Sequence, residues 1–239
     1  MNAAIVVIPT YNEADNIRSI IEAVLALPIA TDVLVVDDNS PDGTATLVQE
    51  LKKKYSQVHL SVREKKEGLG PAYVHGFRWV LEKGYTYIFE MDADFSHPPQ
   101  ALVPMLALLE QKKTDIIVGS RYKKGIRVRQ WPLGRIVLSF GASLYVRLIT
   151  GLPVADATAG FVGYHSNVLH ALDLEDIRFK GYAFQIALKF WAWTKGFRIA
   201  EFPITFTDRI QGDSKMNSSI ISEAIFGILA MKWRSMFKK

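Results

Sequence analysis

Two aspartates one residue apart, Asp92 and Asp94, follow the apolar run YTYIFEM. In an extended segment, residues two apart face the same side. Two carboxylates so placed repel, and one takes up a proton unless a cation lies between them. Hard oxygen ligands suit Mg²⁺ or Mn²⁺, and Mg²⁺ commonly shares its shell with substrate phosphates. The pair therefore suggests a metal-bridged diphosphate. D-x-D is frequent by chance, and its weight here comes from its place at a strand end. Asp37 and Asp38 close a second apolar run, DVLVVD. There a carboxylate can accept hydrogen bonds from ribose hydroxyls or a base. Arg209 and Lys215 lie in the polar loop FTDRIQGDSK. As a fork and a point charge they would clamp phosphates; as ordinary surface charges they would simply be solvated.

These residues need a frame. Residues 3–8, 32–37, 58–62, 85–91 and 115–119 read as strands, and 13–27, 42–55, 68–83 and 98–111 as helices. Asp42 or Ser40 is expected to cap the second helix. The alternation predicts an α/β fold, a single Rossmann-like domain with a mostly parallel sheet. In such sheets ligands bind beyond the carboxyl ends of the strands. Most strand ends here deliver polar or acidic groups, more than helix capping alone requires. After residue 120 the alternation stops. A basic loop (120–133), an apolar helix (134–150), a strand (160–164), an aromatic-rich helix (181–195), a run at 197–202 and a closing helix (218–237) follow. The expected division is a catalytic domain over 1–217 and an amphipathic helix over 218–239.

The chain has 239 residues, 49% hydrophobic and 22% charged, which excludes a disordered or collagen-like chain. It has no cysteine, so disulfide frameworks, thiolate metal sites and cysteine nucleophiles are excluded. The net charge of +5 is unevenly spread. Six basic residues and no acid lie between Arg121 and Arg135, and Lys232, Arg234, Lys238 and Lys239 close the chain. Basic zones on an otherwise acidic body suggest an anionic partner met at particular places. No secretory signal is visible, and no contiguous apolar stretch reaches the ~18 residues of a spanning helix. The protein is expected in the cytoplasm, without a transmembrane span.

Seven segments together, IPTYNEADNI, VVDDNSPDGT, EKKEGLGPAYVHGF, MDADFSHPP, VGSRY, KGYAFQIAL and EFPITFTDRIQGDSKM, resemble the dolichyl-phosphate (polyprenyl-phosphate) mannose synthases. These belong to glycosyltransferase family 2, with a GT-A nucleotide-sugar fold. The match runs from Ile5 to Lys215 in order. The resemblance implies transfer of mannose from GDP-mannose to dolichyl or polyprenyl phosphate, with inversion and with Mg²⁺ or Mn²⁺. It implies that Pro9, Tyr11, Glu13, Val36 and Asp38 hold the guanosine. Asp92, Ala93 and Asp94 match the metal and diphosphate motif, with Asp92 and Asp94 as metal ligands. Arg121, Arg209 and Lys215 match contacts to the donor's sugar or phosphates, and Asp94, Arg121 and Arg209 would act in catalysis. Arg135 and Ser139 match positions that bind the acceptor phosphate. Ser96 departs from relatives that carry Gln there as a further metal ligand.

The resemblance also implies a peripheral place on the cytoplasmic face of a membrane, and a small membrane subunit is among the partners it allows. The closing helix pairs apolar residues with Trp233, Phe237 and cations, as interfacial helices do. The chain ends about 24 residues after Lys215, so no multi-helix membrane domain is expected. A UDP-sugar donor is the alternative within the fold. A phosphatase with an aspartate nucleophile would usually carry its D-x-D near the chain start. A non-catalytic nucleotide- or nucleic-acid-binding protein is the alternative of another class. Acids at the strand ends repel nucleic-acid phosphate, so no nucleic-acid partner is expected.

Overall fold

The computed structural model describes residues 2–177, 179, 181–208 and 218–237, with side chains of Tyr182 and 218–225 left aside. A seven-stranded sheet runs β3 (Val58–Val62), β2 (Thr31–Asp37), β1 (Ala4–Thr10), β4 (Tyr87–Glu90), β7 (Val162–His165), β5 (Ile116–Ser120) and β8 (Ile199–Pro203). All neighbouring pairs are parallel except those of β7, which is antiparallel to both β4 and β5. A short parallel ribbon joins β6 (Val128–Arg129) to β9 (Phe206–Thr207).

Burial on both faces makes the central strands near-continuous apolar runs. Ile5, Val7, Leu34 and Val36 point to one face, where α3 (Leu69–Glu82), α5 (Leu133–Thr150), α6 (Ser166–Ala171), α7 (Tyr182–Thr194) and α8 (Ser218–Phe237) pack. Val6, Ile8, Val33 and Val35 point to the other, against α1 (Ala14–Leu25), α2 (Thr44–Lys54) and α4 (Leu102–Glu110). α1 buries Ile17, Ile20, Ile21 and Val24, the i, i+3, i+4, i+7 stripe of an amphipathic helix. Gly76 lets α3 lie close on the sheet, because a Cβ there would stand 2.7 Å from Val7 Cγ1.

The chain leaves β1 for β2 and β3 on one side, then returns to β4 on the other. This reversal opens a crevice at the carboxyl ends of β1 and β4, the place where such sheets bind ligands. The antiparallel β7 adds to it from the opposite direction. Val162, at the start of β7, pairs with Glu90, at the end of β4, so the segment leading into β7 reaches the same edge.

Most expected elements are present, with the mostly parallel sheet. Three details differ. The N-cap of α2 is Gly43, at φ 89°, not Asp42 or Ser40. Asp42 instead accepts from Thr44 N (3.0 Å), Thr44 Oγ1 (2.6 Å) and Ala14 N (3.0 Å), tying the starts of α1 and α2 together. The helix expected over 98–111 begins as one 3₁₀ turn, Pro99–Ala101. Finally, α5 is long and apolar enough, by length and composition, to cross a membrane, contrary to the expectation from contiguous apolar runs. Arg135, Ser139, Ser143 and Arg147 interrupt that run at every fourth residue, which conceals its length.

Candidate active site

The turn after β4 is built around its aspartates. Asp94 Oδ1 accepts from Ser96 N at 3.0 Å, and His97 Nδ1 accepts from Asp92 N at 3.1 Å. Accepting at Nδ1 leaves a neutral His97 with its proton on Nε2. The ring stacks on Phe161 at 5.1 Å and meets Phe206 edge-on at 5.6 Å. Phe95 takes a left-handed φ of 59°, which folds the turn back. Ser96 Oγ is buried with no partner among the described residues. No group of three or more His, Asp or Glu is arranged to hold a metal among the described residues. Asp92 and Asp94 therefore offer two hard carboxylates, with Ser96 Oγ close by in sequence. That set fits an ion completing its shell from substrate oxygens and water.

The two acids at the end of β2 have separate tasks. Asp37 is fully buried and accepts from Thr10 Oγ1 (2.7 Å), Ser40 Oγ (2.6 Å) and Ser40 N (2.9 Å), which locks the β1 and β2 ends together. Asp38, also buried, pairs with Arg63 Nη1 at 2.9 Å, and Arg63 Nη2 reaches Glu67 at 2.7 Å. Burial pushes the Asp38 carboxyl above its usual range, against the pull of Arg63. Lys66 lies 4.0 Å over the Tyr11 ring. Glu13 N donates to Thr44 Oγ1 at 3.0 Å, and Glu13 Oε2 accepts from Asn16. Tyr11, Glu13, Asp38 and Lys66 thus gather where β1 and β2 end, with Pro9 in register with Val36. The Val36 side chain is buried in the core, so any ligand contact of Val36 runs through its main chain.

Arg121 follows β5 and is held by the segment that precedes β7. Its Nε and Nη2 form a fork on Asp156 Oδ2 (2.7 Å) and Oδ1 (2.6 Å), its main-chain N–H donates to Oδ2 (2.8 Å), and Nη2 also reaches Thr158 Oγ1 (2.8 Å). Asp156 is fully buried, and its own N–H donates to Glu201 at 3.0 Å. Trp131 and Phe206 lie 5.5 and 5.7 Å from the guanidinium. Arg135, in the first turn of α5, lies 4.2 Å over the same Trp131. One turn on, Ser139 Oγ accepts from Tyr122 OH at 2.8 Å. An unbroken set of aromatic contacts therefore runs from His97 through Phe206 and Trp131 to Arg135.

α5 is amphipathic in reverse. Its polar Ser139 and Ser143 face the protein, where Ser143 and Val146 are buried. Its outer face exposes Leu133, Val137, Leu138, Phe140, Leu144 and Leu148. Beside it, α8 buries Ile228 and Met231 and exposes Phe226, Leu229, Trp233, Met236 and Phe237. The two helices pack together, and Lys232 Nζ of α8 donates to Thr150 O at the end of α5 at 3.4 Å.

Residues 5–173 match the family model described as glycosyl transferase family 2. The chain belongs to glycosyltransferase family 2. Within it, the chain is 41% identical over 234 residues to the undecaprenyl-phosphate mannosyltransferase of Micrococcus luteus, covering 96% of each protein. It is 45% identical over 225 residues to the polyprenol monophosphomannose synthase of Mycolicibacterium smegmatis, covering 94% of this chain and 84% of that protein. Among solved structures, the mannosyl-3-phosphoglycerate synthase of Rubrobacter xylanophilus superposes with a TM-score of 0.70 at 19% identity, covering 100% of this chain and 76% of that one. A mannosyltransferase of Pyrobaculum calidifontis, solved with GDP-Man and Mn²⁺, superposes with a TM-score of 0.58 at 15% identity, covering 98% of this chain and 74% of that one. At these identities the structures share the fold.

In this glycosyltransferase the strand-end residues named from the sequence fall at the predicted sheet edge, and Arg121 joins Arg135 through Trp131. Arg209 and Lys215 lie outside the described residues. Sequence reasoning missed Asp156, which holds Arg121, and Trp131, which links it to Arg135. Asp156 sits in VADATAG, where no local pattern marks it, and its partner is 35 residues away in sequence. Arg63 stands just before EKKEGLGPAYVHGF, outside every segment that carried the resemblance; its near-complete burial beside an acid is visible only in the fold.

Proposed function

We propose that this glycosyltransferase moves mannose from GDP-mannose to the phosphate of a polyprenol such as dolichol or undecaprenol, with inversion, at a membrane surface. The observation that carries the reading is the 41–45% identity, over nearly the whole chain, to mannosyltransferases of polyprenyl phosphates. The geometry supports it: the α5 helix that presents Arg135 and Ser139 turns an apolar face outward, as a grip on a lipid phosphate requires.

Tyr11, Glu13 and Asp38, with the main chain of Pro9 and Val36, receive the guanosine. Ala93 lets the diphosphate approach between Asp92 and Asp94, which would hold Mg²⁺ or Mn²⁺. A divalent cation held there would supply positive charge to offset that on the leaving diphosphate. Arg121, with Nε and Nη2 held on Asp156, serves as a contact to the donor's sugar or phosphates, and Arg209 and Lys215 follow as phosphate contacts. Arg135 and Ser139 hold the acceptor phosphate. A phosphate monoester with a second pKa of about 6 is mostly dianionic at neutral pH, so it needs no general base. Its oxygen attacks the anomeric carbon as the bond to GDP breaks, and a single displacement inverts that centre. His97 is committed to the Asp92 amide and is a positioning residue for the turn.

Residues 1–217 form the catalytic domain, and the helix from Ser218 onward, with α5, meets the cytoplasmic leaflet, where basic residues favour anionic lipid. The test incubates the protein with labelled GDP-mannose, Mg²⁺ or Mn²⁺ and polyprenyl phosphate, and counts organic-extractable label. Asp94→Ala should lower the rate by ~10²–10³. Product from UDP-glucose but not from GDP-mannose would overturn the donor. Product appearing only when native membranes are added would assign a small membrane subunit as partner.

A further inference from the structure

Arg135 already holds an anion. Its Nη1 donates to Asp208 Oδ2 at 2.7 Å, and each side chain is only about a quarter exposed, 28% and 26%. The carboxylate is delivered by the β6–β9 ribbon, since Asp208 N donates to Arg129 O at 3.2 Å and Phe206 N to Arg127 O at 2.9 Å. Phe206, two residues before Asp208, packs on Trp131 at 5.2 Å, and Trp131 is the plate beneath the Arg135 guanidinium. The Trp131 indole N–H is buried and has no hydrogen-bond partner among the described residues. Buried donors are almost always paired in folded proteins, so an unpaired one beside an arginine needs an explanation.

We propose that Asp208 is the resident anion of the acceptor-phosphate site: it accepts from Arg135 Nη1 until the acceptor arrives, and the incoming phosphate takes its place over Trp131. The inference rests on the reading of Arg135 as the acceptor's grip. Its logic is charge. An arginine left unpaired at a partly buried place is costly, so a carboxylate of the same chain keeps it ordered. A phosphate dianion carries more charge and matches the arginine fork, so it can displace a single carboxylate. The displacement subtracts from acceptor affinity by competition. Asp208 therefore sets how tightly the acceptor binds without touching it in the product-forming complex.

The alternative role for Asp208 is to aim Arg135 at the phosphate, and the two roles predict opposite signs. If the carboxylate competes, Asp208→Asn lowers the KM for polyprenyl phosphate several-fold relative to the KM for GDP-mannose. If it aims Arg135, the same substitution raises the acceptor KM. An unchanged or raised acceptor KM in folded protein overturns the proposal. Asp208→Ser repeats the test with a smaller side chain should the first variant not fold. Arg135→Gln separates this inference from the reading beneath it. If Arg135→Gln leaves the acceptor KM unchanged, Arg135 is not the grip. If it raises that KM while the Asp208 variants fail to lower it, only the resident-anion proposal falls. In the double variant, the gain from Asp208→Asn should vanish, because nothing is left for the carboxylate to mask.

Discussion

At the residue scale, the site depends on charges held by other charges. Arg121 is the clearest case, because its fork is filled by Asp156, which is fully buried. Removing one partner of a buried ion pair leaves the other uncompensated and typically costs 3–5 kcal/mol. Asp156→Asn should therefore lower the melting temperature markedly and cut the transfer rate, as read by a thermal melt and the label assay. Arg121→Lys should fail to restore the geometry, since an ammonium cannot fill a two-oxygen fork. The acids at Asp92 and Asp94 were legible in the sequence because an apolar strand runs directly into them. Asp156 was not, because a buried acid surrounded by small residues carries no periodic signal and its partner comes from a distant strand. The separate tasks of Asp37 and Asp38 were equally hidden: the two are adjacent at one strand end and both are buried, and only the positions of Thr10, Ser40 and Arg63 tell the acid that locks β1 to β2 from the one that pairs with an arginine.

At the scale of elements, β4 and α7 bury two ionisable groups close to the site in sequence and structure. Glu90, two residues before Asp92, and Lys189 of α7 are both fully buried. Lys189 Nζ donates to Ala159 O at 2.8 Å, in the segment that carries Asp156 and Thr158. Burial pushes the Glu90 carboxyl up to about 8 and the Lys189 ammonium down to about 8, each partly opposed by the other's charge. A raised acid binds its proton more tightly in the folded state. Its contribution is present below about 4.5, the ordinary value, and is lost as pH rises through about 8. Glu90→Gln removes that loss. The stability of the variant relative to the parent should rise between pH 5 and 8 by on the order of a few kcal/mol, measured by denaturant melts across that range. The long elements were legible from their periodicity. The shorter ones, α6, β6 and β9, were not, because two to six residues hold too little pattern to register. The direction of β7 was also invisible: four residues, Val-Gly-Tyr-His, carry no sign of sense, and pairing with β4 and β5 decides it.

At the scale of the whole molecule, the outward faces of α5 and α8 stand out. Leu148 is 76% exposed and Trp233 63%. Exposed apolar patches of this kind mark contact surfaces rather than packing faults. Leu148→Glu and Trp233→Glu should weaken binding to vesicles containing anionic lipid, measured by sedimentation, while leaving the melting temperature within a few degrees, because neither side chain is in the core. The sequence pointed to an apolar character for both helices. It did not show that α5 is turned inside out, with its serines inward and its leucines outward, because that depends on what Tyr122 and Thr158 offer on the inner side.

The reversed helix has a kinetic corollary. α5 has 18 residues, which at 1.5 Å per residue makes it about 27 Å long. Its first turn carries Arg135, and its apolar face runs along the rest. On the proposed reading, the enzyme meets its acceptor in two dimensions: the prenyl tail stays among the lipids while only the headgroup is gripped. Encounter is then set by how crowded the acceptor is in the surface, not by how much lies in the tube. Spreading a fixed amount of polyprenyl phosphate over more inert lipid would slow the reaction as effectively as removing it.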